Sequence, residues 1–346
     1  MAYTTIDDPS AYFQTALYTG NESTNVITND GNSDLQPDWW WGADRTGTNW
    51  NSVYDSSRGV TKQLNTNVAN SEYTVSNGMA SFNSDGFTLG SHDNSNKNSY
   101  NHVAWQWKAN GGTTTTNDAS STGVGDIDSV IQANTTAGFS IVTYTHTGND
   151  DRVAHGLGAT PKVVIVKERG GAGSWYFVTT AVDGSLDYLL LEGTNAKGDL
   201  GYSEHTSTTF PSMQFDNGDT AVAYCFAEIQ GYSKFGSYTG NGSEDGPFVY
   251  LGFKPQWIMF KNTGAAEEWV LQDTTRNPNN PVIINIRPDS NIAEASSSGL
   301  DIDFLSNGFK NRSDQAQLNS SGVSYIYMAF AESPFVSSEG VPTTAR

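Results

Sequence analysis

The sequence has a single cysteine, Cys225, so no intrachain disulfide can form, and stability must come from packing or association. Basic residues are scarce. Eighteen Lys and Arg stand against 37 Asp and Glu, a formal net charge of −19. A surface this acidic repels phosphate backbones and anionic headgroups, so neither nucleic acid nor an anionic membrane is expected as a partner. No run of 18 apolar residues occurs, so no transmembrane helix is expected. The opening MAYTTIDDPSAYFQ has no basic stretch ahead of an apolar core and does not read as a secretory signal, which leads to an expectation of production in a cytoplasm. C-x-x-C, H-E-x-x-H, G-x-S-x-G and Walker-type motifs are absent, and the five histidines show no metal-ligand spacing.

What the chain does have is aromatic surface. Nine Trp, 16 Tyr and 16 Phe are enough to build real cores, which argues against disorder. Mixed with β-branched and turn-forming residues, they predict an all-β protein.

Three stretches follow one plan: FQTALYTGNESTNVITNDGNSDLQPDWWWGADR from Phe13, FSIVTYTHTGNDDRVAHGLGATPKVVIVKER from Phe139, and FGSYTGNGSEDGPFVYLGFKPQWIMFKN from Phe235. Each runs through an aromatic strand, a Tyr-Thr turn, a loop, a proline and an apolar strand. Tyr18 precedes Pro37 by 19 residues, while Tyr144–Pro161 and Tyr238–Pro255 are each 17 apart. Each copy closes alike, with HVAWQWKA, AVAYCFAE or YIYMAFAE, where large residues alternate with small ones. That period of 2 predicts a strand with one bulky face: Val103, Trp105 and Trp107; Val222, Tyr224 and Phe226; Ile326, Met328 and Phe330.

The expected organisation is therefore three tandem antiparallel β-sandwich repeats, each folding around its own aromatic centre. Residues 13–109, 138–232 and 233–335 form the repeats. Residues 1–12 form an arm that orders against a neighbour's sheet, 110–137 a linker whose Gly/Thr/Ser-rich first half is flexible or extended, and 336–346 a frayed tail.

Residues able to carry chemistry each have a structural reading beside the functional one. Trp39–Trp41 read as sheet packing in preference to a sugar-stacking platform. The oxygen-rich loops around Asn29, Asp30 and Asp34, and around Asn241, Glu244 and Asp245, occupy equivalent places in copies one and three and are the ligand-binding candidates; Asp216–Asp219 is a further oxygen cluster. None matches an EF-hand loop, so solvated turns are favoured over a Ca²⁺ site, and no cofactor is expected. Asp55/Arg58 and Asp273/Arg276 read as ion pairs bracing hairpins; copy two lacks the arginine, which excludes a catalytic role common to all copies. Glu228, Glu332, Asp301 and Asp303 are the carboxylates a glycosidase would need, without the pattern such enzymes carry. Cys225 reads as an inert packed thiol.

With those phrases laid out, the chain resembles a group of marine bacteriophage virion proteins with tail-fibre or lectin-like labels. The resemblance rests on NDGNSDLQPDWWW, ANTTAGFSIVTYT, HGLGATPKVVIVK, YCFAEIQGYSKFGSYTGNGSEDGPFVYLGFKP and YIYMAFAESPF, and covers nearly the whole chain. It implies jelly-roll or concanavalin-like sandwiches, a place on the virion, other virion proteins as partners, and a homo-oligomer, with a trimer favoured. It implies no catalytic residues. The expectation is a non-enzymatic tail appendage that contacts host-surface glycan; a capsid decoration protein and a polysaccharide depolymerase are the alternatives.

Overall fold

The computed structural model describes residues 2–296 and 299–343. Strand occupies 41% of the chain and helix 3%, and the sheets are antiparallel, so the protein is all-β. No helix among the described residues is long and apolar enough to cross a membrane.

The first module holds β1 Phe13–Thr19, β2 Asn25–Ile27, β3 Trp39–Asp44, β4 Ser52–Asp55, β5 Lys62–Asn65, β6 Tyr73–Thr74, β7 Met79–Phe82, β8 Phe87–Leu89 and β9 Asn101–Trp107. The second holds β10 Thr115–Asn117, β11 Ser129–Asn134, β12 Phe139–Thr145, β13 Arg152–Ala154, β14 Val163–Glu168, β15 Trp175–Thr179, β16 Asp187–Leu190, β17 Gly198–Asp199, β18 Thr209–Pro211 and β19 Thr220–Phe226. The third holds β20 Ser233–Thr239, β21 Phe248–Tyr250, β22 Phe253–Asn262, β23 Val270–Asp273, β24 Ile284–Asn285, β25 Ala295–Ser296, β26 Ile302–Leu305, β27 Gly308–Asn311 and β28 Ser324–Pro334.

One strand order recurs in the three main sheets: β1-β9-β3-β4, β12-β19-β14-β15 and β20-β28-β22-β23. A smaller layer backs each sheet: β2-β8-β7, β13-β18 and β21-β27-β26. The register makes Tyr18, Tyr144 and Tyr238 equivalent, opposite His102, Ala221 and Tyr325. Phe13 and Phe139 face Trp107 and Phe226, but Ser233, not Phe235, faces the matching Phe330. The aromatic that opens copy three sits two residues further along the strand than sequence alignment puts it.

The bulky faces do not lie inside three separate sandwiches. Trp105 and Trp107, Tyr224 and Phe226, and Met328 and Phe330 all belong to one buried cluster shared by the three main sheets. Rings interlock across modules: Trp39 stacks on Tyr224 with centroids 4.5 Å apart, Phe13 on Phe330 at 5.2 Å, and Phe226 meets Phe330 edge-on at 5.9 Å. The smaller faces, with Ala104, Ala223, Cys225 and Ala329, turn to each module's own second layer and private core. The expectation that each repeat folds around its own aromatic centre is thus corrected. Alternation says which side chains share a face; it does not say which sheet lies opposite. The Trp triplet divides by the same rule, with Trp39 and Trp41 in the shared core and Trp40 in the private one.

Two other expectations change. The 110–137 segment is not a bare linker: Ser129–Asn134 pairs with β12 and Thr115–Asn117 pairs with β11, extending the second sheet. The β-branched pairs Thr115–Thr116 and Val130–Ile131, beside an open strand edge, account for this. The N-terminal arm folds onto its own chain. Ile6 enters the shared core, the Thr4 hydroxyl donates to the Gln230 carbonyl (2.8 Å), and Asp7 accepts from the Ser338 amide (2.7 Å), which ties down part of the expected tail.

The three modules meet at three seams. At the first/second seam, buried Arg58 binds Asp55 (2.5 Å) and Glu72 (3.0 Å), Arg169 of the second module reaches Glu72 (2.9 Å), and the Tyr224 hydroxyl donates to Asp55 (2.7 Å). The third/first seam has the same parts. Arg276 binds Asp273 (2.6 Å) and Glu294 (3.5 Å), Arg45 reaches Glu294 (2.8 Å), and Trp105 Nε1 donates to Asp273 (3.1 Å). The Asp-x-x-Arg pairs therefore clamp neighbouring modules as well as bracing their own turns.

Candidate functional site

The six loop residues singled out from sequence are partly spent on the fold. Asn29 accepts from Gln106 Nε2 (2.7 Å) and donates to the Leu35 carbonyl (3.0 Å), while Asp30 and Asp34 stand exposed near it. Asn241 accepts from Asn319 Nδ2 (2.9 Å) and donates to the Asp245 carbonyl (2.9 Å). The Asp245 carboxylate binds Lys310 (2.6 Å), and these charge-assisted bonds hold it below the usual carboxylate range. Glu244 lies on the rim of a polar cleft of about 630 Å³ with Asp301, Arg312 and Gln315.

The two loops are not equivalents. Asn241 matches Asn21, because Asn96 holds Asn21 as Asn319 holds Asn241, down to matching bonds from the Asn96 and Asn319 amides to the Ser23 and Ser243 carbonyls. The signal was legible: YTGN occurs at 18–21 and again at 238–241. Among the described residues, no three His, Cys, Asp or Glu side chains are grouped to hold a metal ion.

The four carboxylates considered for hydrolysis are also engaged structurally. Glu228 accepts from the Phe235 amide (2.9 Å), Glu332 binds Lys254 (2.6 Å), Asp303 binds Arg312 (2.6 Å) and Asp301 accepts from the Gly299 amide (3.2 Å).

Sequence reasoning missed the groove between the N-terminal arm and the third module. Its volume is about 350 Å³, and Tyr3, Glu228, Gln230, Lys234, Tyr250 and Gly252 line it. The Tyr3 and Tyr250 hydroxyls are 2.9 Å apart, and the Tyr3 hydroxyl donates to the Gly252 carbonyl (2.8 Å). Burial first, then the Tyr250 hydroxyl, pushes the Tyr3 phenol well above its ordinary pKa, so it stays a neutral donor. Gly252 has φ +83°, and a Cβ there would come within 2.7 Å of the Tyr3 hydroxyl, so only glycine permits this approach. Lys234 Nζ donates to the Tyr250 carbonyl (2.9 Å) and lies 5.5 Å from the Tyr250 ring centroid. On the same strand Phe248 is also exposed.

An aromatic face beside a carboxylate, an amide and phenol hydroxyls can stack on a ring and hydrogen-bond its substituents. The Ser233 hydroxyl, which also lines the groove, accepts from the Ile229 amide (3.1 Å) and donates to the Ala227 carbonyl (3.5 Å). Its residues come from positions 3, 228–234 and 250–252, which no local motif could join.

The profile of one family, described as a domain of unknown function (DUF7483), matches residues 8–334. The chain belongs to this family. No curated protein and no solved structure matches it. The DUF7483 match runs through all three main sheets and ends at the last residue of β28, so the family unit takes in the shared core apart from Ile6 of the arm.

Proposed function

We propose that this DUF7483 chain is a non-enzymatic structural protein of a bacteriophage particle, part of a tail appendage that contacts host-surface glycan. The observation that carries the glycan reading is the groove of Tyr3, Glu228, Gln230 and Tyr250 with its exposed aromatic rim. The resemblance of its sequence phrases to those of phage virion proteins supports the setting, and the acidic surface supports persistence in a salty medium. Three modules sharing one core make a single body, which suits the head of an appendage better than its shaft. Weak sites of this kind gain strength when copies assemble, and a homotrimer fits that role.

Two experiments test the reading. Cryo-EM of the intact particle should place this chain on the tail; placement on the shell would favour the capsid decoration alternative. Purified chain should bind surface saccharide from the host, and Tyr250→Ala should weaken that binding by about tenfold. Binding unchanged by this substitution would remove the groove from the proposal, and release of saccharide fragments would favour a depolymerase.

A further inference from the structure

We infer that the free strand edges of the first and third modules are docking sites for an extended segment of another polypeptide chain. The inference rests on an asymmetry among three equivalent edges. In the second module the 110–137 segment covers that side: Ser129–Asn134 pairs antiparallel with β12, and Ile127 bridges Val153 of β13, which is fully buried. In the other two modules β1 and β20 are the outermost strands, and among the described residues no strand occupies the matching place; the Ile229 carbonyl and the Glu228 carboxylate take the Ser233 and Phe235 amides (2.9 Å each) and Asn25 Nδ2 reaches the Thr19 carbonyl (3.1 Å), which leaves the edges open around Leu17 and Ser237.

Leu17 and Ser237 hold the register position of Thr143, whose outward edge pairs with Val130. The Gly20 and Gly240 amides bond inward, to the carbonyls of Tyr100 and Val323. Alternation along an antiparallel ladder then turns the N–H and C=O of Leu17 and Ser237 outward, where no strand meets them. Beside them, β2 and β21 expose apolar side chains: Val26 is 64% exposed, Phe248 48% and Tyr250 46%, and Leu17 itself is 39% exposed. An unpaired edge flanked by exposed apolar residues is a template for strand addition.

The covered edge indicates the chemistry of the occupant. It is an uncharged strand of aliphatic and neutral polar residues, as Ser-Val-Ile-Gln-Ala-Asn is, with an isoleucine ahead of it for the second layer. A second copy's own 110–137 segment is not the donor, because its strand is already held between β10 and β12.

The test uses a labelled synthetic peptide of residues 124–137 and the full chain, read by fluorescence anisotropy. Saturable binding is expected, weakened by about tenfold or more in the Leu17→Pro/Ser237→Pro double variant. Proline at an outward-facing edge position leaves the ladders to β9 and β28 intact, so the fold should persist. Should circular dichroism show otherwise, Val26→Asp on an exposed side chain should still weaken binding at the first module. Absence of saturable binding, or unchanged affinity in folded variants, would overturn the inference. So would a species of twice the mass that Leu17→Pro abolishes, because that would assign the edge to a second copy. Binding at the first module should be indifferent to Tyr250→Ala, which separates this result from the fate of the glycan groove.

Discussion

The seam between the second and third modules lacks what the other two share. The backbone pattern is common to all three: the amides of Glu72, Glu294 and Lys197 donate to the carbonyls of Arg169, Arg45 and Thr263 at 2.9, 3.1 and 3.0 Å. The side chains then diverge. Where two seams set an acidic residue between two arginines, the third has Lys197 and Thr263. Where two have Asp-x-x-Arg, the register puts Thr179 and Val182. The residue in the place of Tyr224 and Trp105 is Met328, which has no donor for a buried carboxylate. The clamp and the donor it needs are absent together. A buried aspartate and arginine without all their partners would cost more than apolar contact, so the apolar solution is self-consistent. The second and third modules are also joined directly through Ile229–Tyr232, so this seam has less need of a clamp.

The comparison breaks most severely if Arg58 is removed. Arg58→Ala leaves buried Asp55 without its charged partner and takes one of the two arginines from Glu72, and should cost about 3–5 kcal/mol, with a similar loss for Arg276→Ala, read from urea unfolding. Trp107→Ala should cost about 3–5 kcal/mol as well, and the whole chain should still unfold in one transition because the core is shared. Separate transitions for the three modules would sink the shared-core description. Installing one half of the clamp should be harmful: Met328→Tyr forces a larger, polar side chain into a buried site that lacks the aspartate its counterparts bind, and should cost about 1–3 kcal/mol.

Acid provides a gentler test. Burial raises the Glu72 carboxyl, but its bonds and charges with Arg169 and Arg58 outweigh this and hold it below its ordinary value of 4.5. Its folded pKa is depressed, so its contribution is present above about pH 4.5 and is lost as pH falls through the folded value. Amide exchange at the first/second seam should rise on acidification, while the second/third seam, with no such carboxylate between arginines, should change less. The smallest expected effect lies in a shared feature. Trp175 Nε1 donates to the Asn65 carbonyl (2.8 Å) and Trp269 Nε1 to the Leu190 carbonyl (2.9 Å), each across a seam. Trp175→Phe and Trp269→Phe should each cost about 1 kcal/mol, and a clear inequality would show that the seams differ in more than their ion pairs.

Much of the strand pattern was legible because alternation is local. The closing strands, the apolar strands after each proline and the buried Trp triplet follow from side chains two residues apart. The candidate site was much less legible. Asn29 and Asn241 looked alike in composition, yet the equivalent of Asn241 is Asn21, as the repeated YTGN signals and the matching Asn96 and Asn319 bonds establish. The groove assembles residues from the arm and two distant turns, and Gly252 matters there only because Tyr3 lies against it.

By itself the sequence determined that this is an acidic, disulfide-free all-β chain whose strands carry one bulky and one smaller face, since a strand's own geometry divides its side chains between two faces. Only the tertiary structure decided that the bulky faces meet one another, that Asp-x-x-Arg clamps a neighbouring module, and that one edge in three is covered. Those are relations between residues far apart in the chain, and packing brings them together in a way no local periodicity encodes.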